Sequence, residues 1–293
     1  MEKTDKILNG TKIAQDIKSD LKNTLKNYPS LKCCFKVIQV GGRKDSEVYI
    51  NQKLKAAKEL GIKCEYVHLD TNISHKGLMD IITDCNQDKS VHGFMLQLPF
   101  QSSENLNEND FLSKIDKSKD IDGLSYESTA KIATGLHNEC TIPCAAQSCL
   151  ILIKETNTNV IGKHAVVLGR SKVIGMPIAN ILSWLDATVT LCHNKTVDIE
   201  NIISQADILI IAIGCAKFVK GAWIKEGAIV IDCGINYLPD TFKKNGYQII
   251  GDVDFDQAYP RVSYITPVPG GVGPITVACL LKNVVKLAIQ QQN

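Results

Sequence analysis

The run A-D-I-L-I-I-A-I-G, residues 206–214, constrains the fold more than any other stretch. Residues 208–213 are all apolar, with no polar residue at alternate positions. A strand of this kind has no face to give to water, so helices must cover both of its faces. H-A-V-V-L-G (164–169) and A-I-V-I-D-C-G (228–234) read the same way. A-T-V-T-L (187–191), C-F-K-V-I-Q-V (34–40), C-E-Y-V-H-L (64–69) and V-H-G-F-M-L-Q-L (91–98, stopped by Pro99) complete the strand set. Helical patterns alternate with them over residues 144–155, 177–185, 197–205 and 275–290. Ser74 is placed to cap another helix reaching about Cys85, and residues 101–109 read as a loop or a short helix. The fold class is therefore α/β, with parallel sheets covered on both faces.

A length of 293 residues exceeds what one core usually organises and implies about two domains, with T-I-P-C (141–144) as the candidate boundary. The net charge of +2, without a basic block, argues against a nucleic-acid or membrane-surface partner. No apolar run is read as reaching the ~18 residues of a membrane span. The charged M-E-K-T-D-K start leads into no apolar core, so no secretory signal is expected. Eleven cysteines, an odd number, fit free thiols in a reducing cytosol and thus a cytoplasmic protein. Cys140, Cys144 and Cys149 cluster, but no C-x-x-C pair exists and no zinc spacing is matched, so no metal is expected.

V-V-L-G-R-S-K-V-I-G-M-P runs strand, glycine turn, helix. That context suits a dinucleotide: glycines let the backbone approach phosphate, and a helix N-terminus offers unpaired N–H groups. The spacing departs from G-x-G-x-x-G, since Gly169 and Gly175 are six apart, and a plain strand–turn–helix stays open. In NAD sites an acid about 20 residues on accepts from the ribose 2′-hydroxyl. Here the next strand ends in C-H-N-K-T, Cys192 to Thr196, with no carboxylate. Arg170 and Lys195 would accept a 2′-phosphate, so NADP is favoured over NAD. The same two residues also read as solvated loop charges.

The helix S-E-V-Y-I-N-Q-K-L-K-A-A-K-E-L carries Tyr49, Lys53, Ala56, Ala57 and Leu60 on one face, ended by Gly61. Lys53 thus sits in an apolar stripe, where a lysine can also merely snorkel. Gln97 closes an apolar strand, and Asp120 and Asp122 flank an isoleucine before Gly123. Ligands of open α/β sheets bind at such strand ends. T-P-V-P-G-G-V-G-P, residues 266–274, is a rigid turned loop able to lie flat on a ligand, with an X-Pro bond open to the cis form.

Through Y-I-N-Q-K, V-H-G-F-M-L-Q-L-P, D-I-D-G-L, V-L-G-R-S-K-V-I-G-M-P, T-V-T-L-C-H-N-K-T, G-A-I-V-I-D-C-G-I-N and Y-I-T-P-V-P-G-G-V-G-P-I-T, nearly the whole chain resembles the bifunctional methylenetetrahydrofolate dehydrogenase/cyclohydrolase family. The resemblance implies an N-terminal α/β substrate domain, 1–144 plus 277–293, and a Rossmann-type NADP-binding domain, 145–276. The last helix returns to the first domain, the cleft holds the folate substrate, and homodimers form through the Rossmann domains. The implied reaction is hydride transfer from methylenetetrahydrofolate to NADP⁺, then hydrolysis of the methenyl cation to formyltetrahydrofolate.

In the family's terms Lys53 is the essential lysine, Gln97 its hydrogen-bond partner, Tyr49 the ring packed on the aminobenzoyl group and Asp122 the pterin's carboxylate. Leu98, Pro269, Gly270 and Gly271 complete the implied substrate set. Gly169, Arg170, Ser171, Gly175, His193, Asn194, Lys195, Thr196, Gly214, Ile235 and Thr276 form the implied cofactor set. Burial lowers a lysine's pKa: a neutral Lys53 would act as a general base toward water, and a protonated one would polarise through Gln97, two readings the sequence leaves open. Two departures stand out. P-C-A-A-Q-S (143–148) replaces the family's P-C-T-P-x-G and loses a hydroxyl at the nicotinamide end. Asn194 stands where Ser or Arg is usual, which weakens the NADP preference. A predominantly monofunctional enzyme, a nucleotide-binding module without turnover and a Schiff-base lysine are the alternatives.

Overall fold

Two separate parallel sheets form around central strands that are buried on both faces, with the edge strands Lys63–Leu69 and Thr188–Cys192 more exposed. The computed structural model describes residues 6–42, 44–241 and 246–292; the charged residues 1–5 lie outside these. The chain divides into two compact units, one of Gln15–Ile142 with Val277–Asn293, the other of Pro143–Thr276 with the chain up to Ala14.

The first unit holds α1 (Gly10–Lys26, begun in the other unit), β1 (Cys34–Val40), α2 (Lys44–Glu59), β2 (Lys63–Leu69), α3 (His75–Gln87), β3 (Gly93–Gln97), α4 (Glu108–Leu112) and α5 (Tyr126–Ala133). Its sheet has the order β2-β1-β3, all parallel, with Cys34 opposite Lys63 and Phe35 opposite Gly93. A parallel bridge from Phe94 to Asp120 extends the sheet past β3. Phe35, Val37 and Ile38 of the central strand are fully buried, as its apolar pattern requires. Ser74 caps α3 by accepting from the Gly77 N–H at 3.0 Å.

The second unit holds α6 (Cys144–Glu155), β4 (His164–Leu168), α7 (Gly175–Trp184), β5 (Thr188–Cys192), α8 (Ile199–Ile203), β6 (Ile208–Ile211), β7 (Ile229–Asp232), β8 (Asn236–Pro239), β9 (Tyr247–Ile250), α9 (Phe255–Ala258) and β10 (Tyr264–Ile265). The parallel sheet runs β10-β7-β6-β4-β5, and β8 and β9 form a separate antiparallel pair. The helix expected over 197–205 shortens because Asp198 takes a left-handed φ of 55°. α1, α5 and the β8–β9 pair were not anticipated. The β8–β9 strands are four residues each, half-exposed and weak in alternation, and Tyr237 meets Tyr247 edge-to-face at 5.0 Å.

By contacts, residues 6–14 group with the second unit: the Ile265 N–H donates to Lys6 O and the Leu8 N–H to Ile265 O, both at 2.9 Å. Main-chain pairing over this sequence distance leaves no local pattern. α10 (Val272–Gln290) is long and apolar enough to cross a bilayer by length and composition, although Lys282, Asn283 and Lys286 break its apolar run. Two thirds of it, 67%, is buried inside the protein, as in a core helix. Val277 onward belongs to the first unit, so the last helix carries the chain back there.

Ile208 to Ile211 are all fully buried. Ile210→Ala is expected to cost about 2–5 kcal/mol of stability, read from the urea unfolding transition.

Candidate active site

In the first unit α2 turns Ile50, Lys53, Ala56 and Ala57 inward and Glu47, Lys55 and Lys58 outward. Lys53 is 8% exposed. Its Nζ donates to Gln97 Oε1 at 2.8 Å and lies 3.3 Å from Met95 Sδ. Gln97 Nε2 donates to Leu98 O at 3.2 Å, which turns Oε1 toward the amine. Gln97 sits at the C-terminal end of β3, beside β1, where the strand order 2-1-3 reverses direction. Burial pushes the Cys64 thiol up to about 12, with Lys53 nearby pulling the other way. Among its partners are thus the Gln97 amide oxygen and the Met95 sulfur. Leu98–Pro99 is cis.

Asp120 is fully buried and satisfied. It accepts from the N–H groups of Gly123, Leu124 and Ser125 at 2.7, 3.2 and 3.0 Å, and from Ser128 Oγ at 2.8 Å. That ties the turn behind Asp122, which stays half-exposed. Asn283 of α10 donates to Ile121 O at 2.9 Å and holds the same turn from the other side. Of the two aspartates singled out in D-I-D-G-L, one builds the turn and the other is presented by it. Tyr49 lies one turn before Lys53 on α2, half-buried.

In the second unit the reversal falls at β4, flanked by β5 and β6. Gly169 follows β4 with φ 106°, and an added Cβ would sit 2.2 Å from Ala212 O beyond β6. At Gly175 an added Cβ would lie 1.8 Å from Gly169 O. Both positions exclude a side chain because main chain packs against them, which gives the tight strand–turn–helix that a dinucleotide site uses. The first N–H groups of α7 are not offered as expected: Gly175 and Met176 donate to Ser171 Oγ and O at 3.5 and 3.0 Å. Ser171 therefore shapes the loop.

β4 and β5 pair with Leu168 opposite Cys192, bringing exposed Arg170 and Lys195 to adjacent strand ends. The turn after β5 is held by Thr196 Oγ1, which accepts from the His193 N–H at 2.9 Å, and by His193 Nδ1, which accepts from the Lys195 N–H at 3.1 Å. Asn194 is exposed between them. Gly214, with φ 66°, follows β6, and Ile235 follows β7. Ser148 Oγ and Thr276 Oγ1 lie 3.2 Å apart; Ala145 and Ala146 are buried. Pro269 is exposed, Val268–Pro269 is cis, and Gly270 O accepts from the Thr11 N–H at 3.1 Å. Among the described residues no group of three or more His, Cys, Asp and Glu side chains is placed to hold a metal ion.

Two buried carboxyls escaped the sequence reading. Asp232 accepts from Gly234 and Asp252 N–H groups on Oδ1 at 2.8 and 3.1 Å, and from Val253 on Oδ2 at 2.8 Å. Asp252 is fully buried and accepts from Ile213, Gly214 and Cys215. The only local signal was an aspartate at the end of an apolar strand, in V-I-D-C-G, and a second in G-D-V-D.

The fold and site define a two-unit α/β protein, with a buried amine at strand ends in one unit and a Rossmann-type switch point in the other. Residues 8–122 match the tetrahydrofolate dehydrogenase/cyclohydrolase catalytic domain, and residues 143–292 match the same family's NAD(P)-binding domain. The chain belongs to the tetrahydrofolate dehydrogenase/cyclohydrolase family. It is 47% identical over 286 residues to the cytoplasmic C-1-tetrahydrofolate synthase of Homo sapiens, covering 96% of this chain but 31% of that protein. The chain therefore spans about a third of the length of the curated relatives it matches. Against the Campylobacter jejuni bifunctional FolD structure the TM-score is 0.90 at 39% identity, covering 97% of this chain and 98% of that one. Against the Trypanosoma brucei FolD structure, complexed with NADP cofactor and inhibitor, it is 0.92 at 35% identity, covering 98% of both.

Burial raises Asp232 from the usual 3.8 to about 7, against the pull of its three N–H donors. A carboxyl raised in the folded state stabilises most below its unfolded value, and that contribution is lost as pH rises toward 7. The urea midpoint of the wild type is expected to fall between pH 4 and 7 relative to Asp232→Asn, whose slope over that window should be shallower.

Proposed function

We propose that the chain oxidises 5,10-methylenetetrahydrofolate with NADP⁺ and hydrolyses the resulting methenyl cation to 10-formyltetrahydrofolate. The observation that carries this reading is the buried Lys53 amine, fixed at 2.8 Å by Gln97 at a strand-end switch point. It is supported by family membership over both units.

In this reading Asp122 accepts paired N–H donors of the pterin, a charge-assisted arrangement. Tyr49 stacks on the aminobenzoyl ring, with Leu98 beside it. Because the substrate becomes a cation, an aliphatic and sulfur-lined setting with a single amine suits the site better than a cluster of ammonium groups. Lys53, neutral, takes a proton from the attacking water, and Gln97 holds the amine's direction through the step. The carbinol so formed collapses as its imidazolidine ring opens: the bond from carbon to N5 breaks, N5 takes up a proton as the hydroxyl gives one up, the formyl group stays on N10, and the proton held by Lys53 returns to solvent.

The second unit binds the dinucleotide. Gly169 and Gly175 admit the pyrophosphate, with Ser171 shaping the loop, and Gly214, Ile235 and Thr276 line the remaining edge. Arg170, with His193, Asn194, Lys195 and Thr196, takes the 2′-phosphate. When bound, NADP⁺ supplies the hydride acceptor. We assign the protein to the cytoplasm, as a homodimer through the nucleotide units; its eleven free thiols suit a reducing compartment.

Incubation with methylenetetrahydrofolate and NADP⁺ should raise methenyl absorbance, followed by decay; no NADP⁺-dependent rise would sink the dehydrogenase assignment. Lys53→Met should retain folate binding and lose methenyl hydrolysis by about 100- to 10,000-fold; hydrolysis at the wild-type rate would refute the proposed base. Arg170→Ala should raise KM for NADP⁺ more than KM for NAD⁺, measured side by side.

A further inference from the structure

Asp252 lies beyond the residues assigned above, and its geometry is that of a clamp. Its carboxyl is fully buried. Oδ2 accepts from the Ile213 and Gly214 N–H groups at 2.8 and 3.0 Å, and Oδ1 from Cys215 at 2.8 Å. Oδ1 also accepts from Asn236 Nδ2 at 2.8 Å. Three consecutive main-chain donors on one carboxyl hold the turn after β6 in a single conformation, with Gly214 left-handed. The turn after β7 is pressed against the same group, since a Cβ on Gly234 would lie 2.2 Å from Asp252 Cγ. Asp252's own N–H donates to Asp232 Oδ1, which anchors the clamp to β7.

We infer that Asp252 is a positioning residue for dinucleotide binding, setting the loops after β6 and β7 through three backbone N–H groups and the Asn236 amide. The inference rests on the dinucleotide reading of the second unit. Loops held in advance bind a ligand without an ordering cost, so loosening them weakens affinity and leaves the bound chemistry intact.

The test is fluorescence titration with NADPH, alongside dehydrogenase kinetics and thermal melting, on wild type and three variants. Asp252→Asn should weaken NADPH binding about tenfold, raising KM for NADP⁺ far more than it lowers kcat. Asn236→Ala, which keeps the backbone clamp and removes one donor, should shift both the same way by roughly threefold and serves if Asp252→Asn fails to fold. Asp207→Asn is the structural control: Asp207 accepts from the His164 N–H at 2.9 Å at the opposite, N-terminal edge of the sheet. It should lower the melting temperature and leave NADPH affinity unchanged. Wild-type affinity in a folded Asp252→Asn, or in Asn236→Ala where the former does not fold, overturns the inference. Failure of the wild type to bind NADPH overturns the dinucleotide reading itself, and is seen before any substitution.

Discussion

A parallel strand that is apolar on both faces can present chemistry only at its ends. That constraint organises both units. Gln97, Gly169, His193, Gly214 and Asp232 all stand at or just past the C-terminal end of a strand. Parallel pairing brings those ends to one edge of each sheet, and the reversal of strand order at β1 and at β4 opens a crevice there. The lysine joins this edge from a helix instead, because α2 returns along the sheet with one face buried.

Polar groups placed inside such a scaffold must be paired, since an unpaired buried polar group costs about 1–3 kcal/mol. Asp120 and Asp252 each accept four donors, and Asp232 accepts three. Most of those donors are main-chain N–H groups of turns. The buried carboxyls therefore act less as charges than as fixed acceptors that dictate loop conformation. Lys53 is directed by a side chain instead: the Gln97 amide oxygen accepts from its amine.

Much of this was legible from pattern. The continuous apolar runs predicted a parallel sheet, because burial on a sheet face leaves a periodic record. The apolar stripe around Lys53 placed the lysine on the inner face but left a snorkelling side chain open, and the structure buries it. Gly169 and Gly175 were legible as a bare turn. Illegible were the short β8–β9 pair, the left-handed Asp198 that trims α8, and the pairing of residues 6–8 with β10, all of which depend on contacts that leave no local period. The loop before α7 also differed, because Ser171 occupies N–H groups that the motif alone left open.

The sequence by itself determined the order of the main strands and of the helices between them, the faces that had to be buried and the glycines where no side chain fits. These follow from local sterics and from the hydrophobic periodicity of each segment. Only the tertiary structure decided which polar groups meet. Lys53 and Gln97 are 44 residues apart and Asp252 and the Ile213 N–H are 39 apart. Their meeting depends on strand order and register, which are settled by how whole elements pack and not by any stretch of chain alone.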